Sequence, residues 1–395
     1  MRTEELVELD QKYIIPTYAG KTVAFSHGKG CKLWDVEGKE YLDLLGGIAV
    51  DGLGHSHPKL VKAIQRQAAN LIHTSNLYLI TNQIELAKIL VENSFPSKCF
   101  FCNSGAEAIE AAIKFARKYG KGRYEIITMT GSFHGRTYGA LSATGQEKFH
   151  KGFEPLVPGF KYAKFNDIDS VKNLISEKTC AIIIEPIQGE SGVNPVKEDF
   201  LREIHSLCSE KDILLILDEV QCGMGRTGKL FGYEHYGIIP DIITLAKSLG
   251  GGVPIGATVA NEKVSSCISP SNHAATFGGN PLATKAALIT LKIILEDGLL
   301  ENATAMGNYF KDKLNSLKGQ YSFIKEVRGK GLMLGIEIET ITNGARGILL
   351  KCMGEGLLIG TAGENVLRFL PPLIINKKEI DKAVSILEKV MDDIK

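Results

Sequence analysis

From about residue 82 the chain alternates short apolar runs with helix-like segments. "CFFCNSG" meets "AEAIEAAIKFARKYG", and "YEIITMTGSFHG", "CAIIIEPIQGE", "DILLILDEVQ" and "DIITLAKS" follow. Runs that are apolar at nearly every position, rather than at every second one, suit strands covered on both faces. They predict a mostly parallel sheet with helices packed on either side. Residues 22–44 read differently, as short strands broken by the turns "HGKG" and "EGKE". A glycine-rich stretch, "LLGGIAVDGLGHSHP", and a helical run, "PKLVKAIQRQAANLI", come next. Beyond about residue 300 lie "GLMLGIEIE", "VLRFLPPLI" and a final amphipathic helix with Ile380, Val384, Leu387, Met391 and Ile394 on one face. The pattern predicts a large α/β domain with a small α+β domain packed on it.

Composition narrows the function classes. A chain of 395 residues can bury one large core and a satellite. With 46 Lys+Arg against 45 Asp+Glu there is no electrostatic case for nucleic acid or an anionic membrane. No segment reaches the roughly 18 to 20 apolar residues of a membrane span. The start, "MRTEELVELD", lacks the apolar stretch of a secretory signal, so a cytoplasmic location is expected. Cys99 and Cys102 form a C-x-x-C without a second pair. In a strand they point to opposite faces, so buried free thiols are expected rather than a metal site. His55 and His57 form an H-x-H, but no acidic or cysteine partner is spaced to help them hold a metal.

Ligands of open α/β sheets sit outside the carboxyl ends of the strands. At one such end Asn103, Ser104 and Gly105 make a turn that opens a helix. Its free N–H groups suit an anion, although Ser-Gly before a helix is commonly only a cap. At another, Asp218 directly follows the run "ILLIL". It is either a cap or structural ion pair, or a carboxylate facing a cationic ring nitrogen. At the next, Lys247 precedes Gly250, Gly251 and Gly252. It is either a snorkelling surface lysine or a desolvated amine able to form a Schiff base. "SGAEAIE" is neither a dinucleotide fingerprint nor a P-loop. Together the phosphate cradle, the ring-nitrogen acid and the Schiff-base lysine are what pyridoxal phosphate requires.

"ILDEVQCGMGRTG" followed by "PDIITLAKSLGGG" resembles the lysine signature of the class III pyridoxal-phosphate aminotransferases. "NSGAEA", "FHGRT", "EPIQGE", "TFGGNPLA" and "LRFLPPL" occur in that family's order, so the resemblance spans nearly the whole chain. "HTSNLY" and "KEYLDLLGGIAV" are most similar to the acetylornithine aminotransferases within the class. The resemblance implies the aspartate aminotransferase fold, type I. An N-terminal segment, 1–60, would join the small domain; 61–295 would form the large cofactor domain and 296–395 the small α+β domain.

The resemblance also implies residue roles. Lys247 would hold the cofactor as a Schiff base and act as the proton-transfer base, with Asp218 on the ring nitrogen. Gly105 and Ala106, helped by Ser104, would receive the phosphate. Phe133 and Val220 would cover the ring faces, with Gln221 near the ring hydroxyl. Thr276 would reach the phosphate of a neighbouring subunit, which implies a homodimer with shared sites. Arg136 would bind a substrate carboxylate, while Glu190 would mask Arg368 for one substrate and release it for glutamate. The implied reaction moves the δ-amino group of N2-acetylornithine to 2-oxoglutarate, a step of arginine biosynthesis. Donors such as 4-aminobutyrate, ornithine, succinylornithine or an acylated lysine are the alternatives. His134, beside Phe133, is given a structural role, since Lys247 already supplies a base. Two positions depart from the subgroup pattern: Ala275 replaces a serine expected near the substrate, and Ile109 a polar residue.

Overall fold

The structure, a computed structural model, describes residues 1–18, 20–339 and 344–393; Ile394 of the final helix lies outside them. Its centre is a seven-stranded sheet. In spatial order the strands are Ser97–Cys102, Gly256–Asn261, Ile242–Leu245, Leu214–Asp218, Thr179–Ile184, Glu125–Met129 and Phe160–Ala163. Gly256–Asn261 runs against both its neighbours, and the strands from Ile242–Leu245 to Phe160–Ala163 are parallel.

The continuous apolar runs follow from burial on both faces. Leu214, Ile216, Ile183 and Ile242 pack on the side of the helix Gly105–Tyr119, whose Ile109, Ala112, Ile113 and Ala116 are buried against them. Leu215, Leu217, Ile182, Ile184, Ile243 and Leu245 point the other way, into the larger core shared with the helix Pro281–Glu296. Every position of Thr179–Ile184 and Leu214–Asp218 is buried, so neither strand can show polar alternation.

Two small sheets flank this layer. Phe25–Lys29, Lys32–Asp35 and Glu40–Asp43 form a meander that Leu357–Leu358 extends by pairing parallel with Glu40–Asp43. Ile324–Lys330, Met333–Ile338, Val366–Phe369 and Gly360–Ala362 form an antiparallel sheet. The helix Lys377–Asp392 starts at a capping box between Asn376 and Glu379 and buries Ile380, Val384, Leu387 and Met391. Among the described residues, no helix is long and apolar enough to cross a membrane.

Candidate active site

The strands Leu214–Asp218 and Ile242–Leu245 and the helix Gly105–Tyr119 open onto a cavity of about 350 Å³. Lys247 lies on its wall. Its backbone turns into the left-handed region, φ 48°, which residues with a side chain seldom adopt. The turn that follows depends on glycine: a Cβ on Gly250 would stand 1.9 Å from the carbonyl oxygen of Val253. Burial pushes the Lys247 amine below the ordinary lysine range, and the charge of Arg368 acts in the same direction. Glu190, Asp218 and Glu185 pull against this without cancelling it. This desolvated amine shares the cavity wall with Asp218, Val220 and Gln221.

Asp218 ends its strand almost fully buried. Its Oδ2 accepts from His134 Nδ1 at 2.7 Å, and its Oδ1 accepts from the Val220 N–H at 3.0 Å and the Thr244 hydroxyl at 3.2 Å. The other ring nitrogen of His134 meets the Thr128 hydroxyl at 3.2 Å, and Thr128 in turn contacts Ser132. His134 therefore backs Asp218 directly, a pairing across 84 positions that spacing does not reveal. Glu185 also lines the cavity and escaped sequence reasoning. Burial, then the charge of Asp218, pushes its carboxyl well above the usual range, while one oxygen accepts from the Phe133 N–H at 3.2 Å. The available signal was its place directly after "CAIII", the same position that Asp218 holds after "ILLIL".

At the start of the helix Gly105–Tyr119, Ser104 caps by accepting from the Glu107 N–H at 3.2 Å. The N–H groups of Gly105 and Ala106 belong to the first turn, where no carbonyl one turn earlier in the helix receives them. Both residues, with Ser104, line the cavity, as do Phe133 and Val220. A Cβ on Gly105 would come within 2.8 Å of Val220 Cγ1, so the cradle closes only around glycine.

Glu190 and Arg368 meet in an ion pair, Nη1 to Oε1 at 2.6 Å. Arg368 comes from the strand Val366–Phe369, 178 residues away, and is 3% exposed. Gln221 bridges the pair. Its amide nitrogen donates to Glu190 and its amide oxygen accepts from Arg368, both at 3.2 Å. Arg368 also donates to the Gly189 carbonyl at 3.1 Å. Burial alone would raise the Glu190 carboxyl; the charge of Arg368 and its hydrogen bond outweigh that and hold it below the usual range.

Other residues singled out from the sequence lie apart from the cavity wall. Arg136 is exposed, with its guanidinium 3.9 Å from the ring centre of Phe149 and 5.4 Å from that of Phe133. Thr276 is exposed and its neighbour Ala275 half-buried; the Ala275 carbonyl accepts from Asn76 at 3.1 Å. Neither lines the cavity of its own chain. Ile109 is fully buried under the sheet. Cys99 and Cys102 sit in the strand Ser97–Cys102 as free thiols, both pushed up to about 12 by burial. The expectation that His55 lacks acidic partners is corrected. Chain folding brings Asp43 to 2.7 Å and Asp51 to 3.8 Å from its ring.

The profile of the family described as aminotransferase class-III matches residues 16–391. The acetylornithine aminotransferase of Caldanaerobacter subterraneus is 51% identical over 395 residues, covering 99% of this chain and all of that one. Among solved structures, the N-acetylornithine aminotransferase of Stenotrophomonas maltophilia is 37% identical, with a TM-score of 0.85 and 98% of each chain covered. The ornithine aminotransferase of Toxoplasma gondii, described with partial occupancy of PLP at its active site, is 33% identical. Its TM-score is 0.95, over 100% of this chain and 95% of that one. This chain belongs to the class-III aminotransferases.

Proposed function

We propose that this enzyme transfers the δ-amino group of N2-acetylornithine to 2-oxoglutarate, giving N-acetylglutamate 5-semialdehyde and glutamate. The observation that carries the reading is the conjunction of a desolvated lysine with a masked arginine: Lys247 on the cavity wall, and Arg368 held by Glu190 through the shared Gln221. The relatives of similar sequence support the choice of donor.

The residues fit pyridoxal phosphate. A helix start whose first N–H groups are free of intrahelical partners suits the phosphate, and Gly105 leaves the space that a Cβ would fill. Phe133 and Val220 would cover the ring, and Gln221 would stand near its hydroxyl. When bound, the cofactor supplies an aldehyde that captures amines and a ring that takes up the electrons of a broken C–H bond. Asp218, held in place by its hydrogen bond with His134, would face the ring nitrogen and hold a proton there. The Lys247 amine, with its basicity lowered by burial, carries the proton removed from the substrate carbon. Arg136 binds a substrate carboxylate; its planar fork suits a bidentate contact. With acetylornithine present Glu190 stays on Arg368, and with glutamate it swings away and leaves Arg368 to the second carboxylate.

The same reading makes the enzyme a homodimer in which Thr276 completes the partner's phosphate site. The exposure of Thr276, outside its own cavity, supports this. It divides the chain at 60 and 295, and the pairing of Glu40–Asp43 with Leu357–Leu358 supports joining the N-terminal segment to the C-terminal domain. Eight free thiols support a cytoplasmic, reducing location. Steady-state assays on acetylornithine, ornithine, succinylornithine, 4-aminobutyrate and an acylated lysine test the donor. Acetylornithine should give the highest kcat/KM, and a value well below that of another donor would overturn the choice.

A further inference from the structure

The glycine-rich stretch before the helix Pro58–Asn70 contains an unusual piece of backbone. Gly46, Gly47, Ile48 and Ala49 have φ of 54°, 62°, 64° and 61°, one complete left-handed turn. The N–H groups of Val50 and Asp51 close it on the Gly46 carbonyl at 2.7 and 2.9 Å. Glycine enters this region freely, whereas alanine, and more so β-branched isoleucine, is disfavoured there. Contacts from outside the turn must therefore hold it. Asp43 Oδ1 accepts from the N–H groups of Leu45 and Gly46 at 2.8 and 2.9 Å. Asp43 Oδ2 meets His55 Nε2 at 2.7 Å, and the opposite ring nitrogen faces Asp51 at 3.8 Å. The loop is thus tied at both ends. Its centre touches the catalytic segment: Ser248, next to Lys247, donates to the Ala49 carbonyl at 2.7 Å, and Val50 lines the cavity.

We propose that Asp43 and His55 form a clamp that holds the left-handed turn against Ser248 and so sets the position of Lys247 and of the wall at Val50. Both are positioning residues, and the proposal rests on Lys247 being the cofactor lysine. The charge state supports the clamp. Burial disfavours the His55 imidazolium, but the hydrogen bond to Asp43 and the charges of Asp51 and Asp43 outweigh it, so its pKa is raised.

The test compares His55→Ala, Ala49→Gly and their combination as holoenzymes, following kcat and KM, the absorbance of the lysine-bound cofactor against pH, and hydrogen exchange of residues 44–54. His55→Ala should lower kcat roughly tenfold or more with a smaller change in KM, because a misplaced base loses rate before it loses binding. It should also shift the pH midpoint of the absorbance and speed exchange at Leu45 and Gly46. Ala49→Gly, which removes part of the left-handed penalty, should recover a measurable part of both losses in the double variant. Asp43→Asn keeps an acceptor for the two N–H groups and should shift the midpoint in the same direction by less; it serves if His55→Ala does not fold. Faster exchange with unchanged kcat and midpoint, or no recovery in the double variant, would overturn the clamp. A wild-type protein without lysine-bound cofactor would instead overturn the site reading.

Discussion

Lys247 combines features that a surface lysine avoids: a left-handed backbone, a half-buried place on the cavity wall, and an amine whose pKa is held down by desolvation. On the proposed reading the amine is the covalent anchor and the base. Lys247→Ala should therefore abolish turnover while some non-covalent cofactor remains after gel filtration; appreciable turnover would refute the assignment. Glu190 acts on a different quantity. Removing its carboxylate leaves Arg368 unmasked, so Glu190→Ala should alter the acetylornithine half-reaction and the glutamate half-reaction unequally in single-turnover measurements, with cofactor affinity little changed. Equal effects on the two would sink the switch. The sequence made these residues nameable, because Asp218 and Lys247 end apolar runs and the arginines lie in motifs resembling the family's. It could not show the companions of each. His134 on Asp218 and Gln221 between Glu190 and Arg368 are juxtapositions across 84, 31 and 147 positions, set by the sheet and by domain packing.

At the scale of elements, the end of the strand Leu214–Asp218 is held by a carboxylate of its own. Glu219 is 1% exposed and accepts from the N–H groups of Gly232 and Tyr233, both at 2.8 Å. It thereby ties the short turn Gly232–Tyr236 to the sheet. Burial raises its pKa to about 7, against hydrogen bonds that lower it. The folded protein thus keeps a proton that the unfolded chain releases near the ordinary glutamate value of 4.5. Unfolding sheds that proton between these values, so this group's contribution to stability falls as pH rises across the window. The full effect is about 3 kcal/mol by linkage. Glu219→Gln should lower Tm by a roughly constant offset from the lost acceptor, and flatten Tm against pH between about 4.5 and 7. A variant whose Tm keeps the wild-type slope would show that Glu219 is ionised throughout. Periodicity placed the strand and its neighbouring helices well. It could not show the tie, since a carboxylate after an apolar run looks the same whether it serves a ligand or a turn.

For the whole molecule, the exposed apolar residues have a definite place. Leu77 and Leu79 are 86% and 90% exposed and Phe277 is 61% exposed. Their segments are joined: Asn76 donates to the carbonyls of Ala275 and Gly278, and the rings of His73 and Phe277 lie 5.3 Å apart. Large apolar side chains grouped in this way mark an interaction surface. Under the proposed dimer, Thr276 sits where a partner would cover it. Leu79→Glu combined with Phe277→Asp should convert the dimer to monomer in sedimentation velocity and weaken pyridoxal-phosphate binding by at least tenfold, about 1.4 kcal/mol. A wild-type monomer, or a charged variant that stays dimeric with full cofactor content, would contradict shared sites.

The amino-acid sequence by itself determined the layered α/β architecture, because burial on both faces of a sheet writes continuous apolar runs and helices write a 3.6-residue period. It also named the candidate chemical parts, less by their places after buried runs, which a cap or a tied turn such as that of Glu219 would equally fill, than by the order of motifs resembling the family's. Only the tertiary structure decided which groups act on one another. It put Glu185 on the cavity wall, His134 behind Asp218, Gln221 between Glu190 and Arg368, and Asp43 beside His55. Periodicity is local, whereas hydrogen bonds and charge pairs act over a few ångströms between elements far apart along the chain. Their partners exist only once the chain has packed.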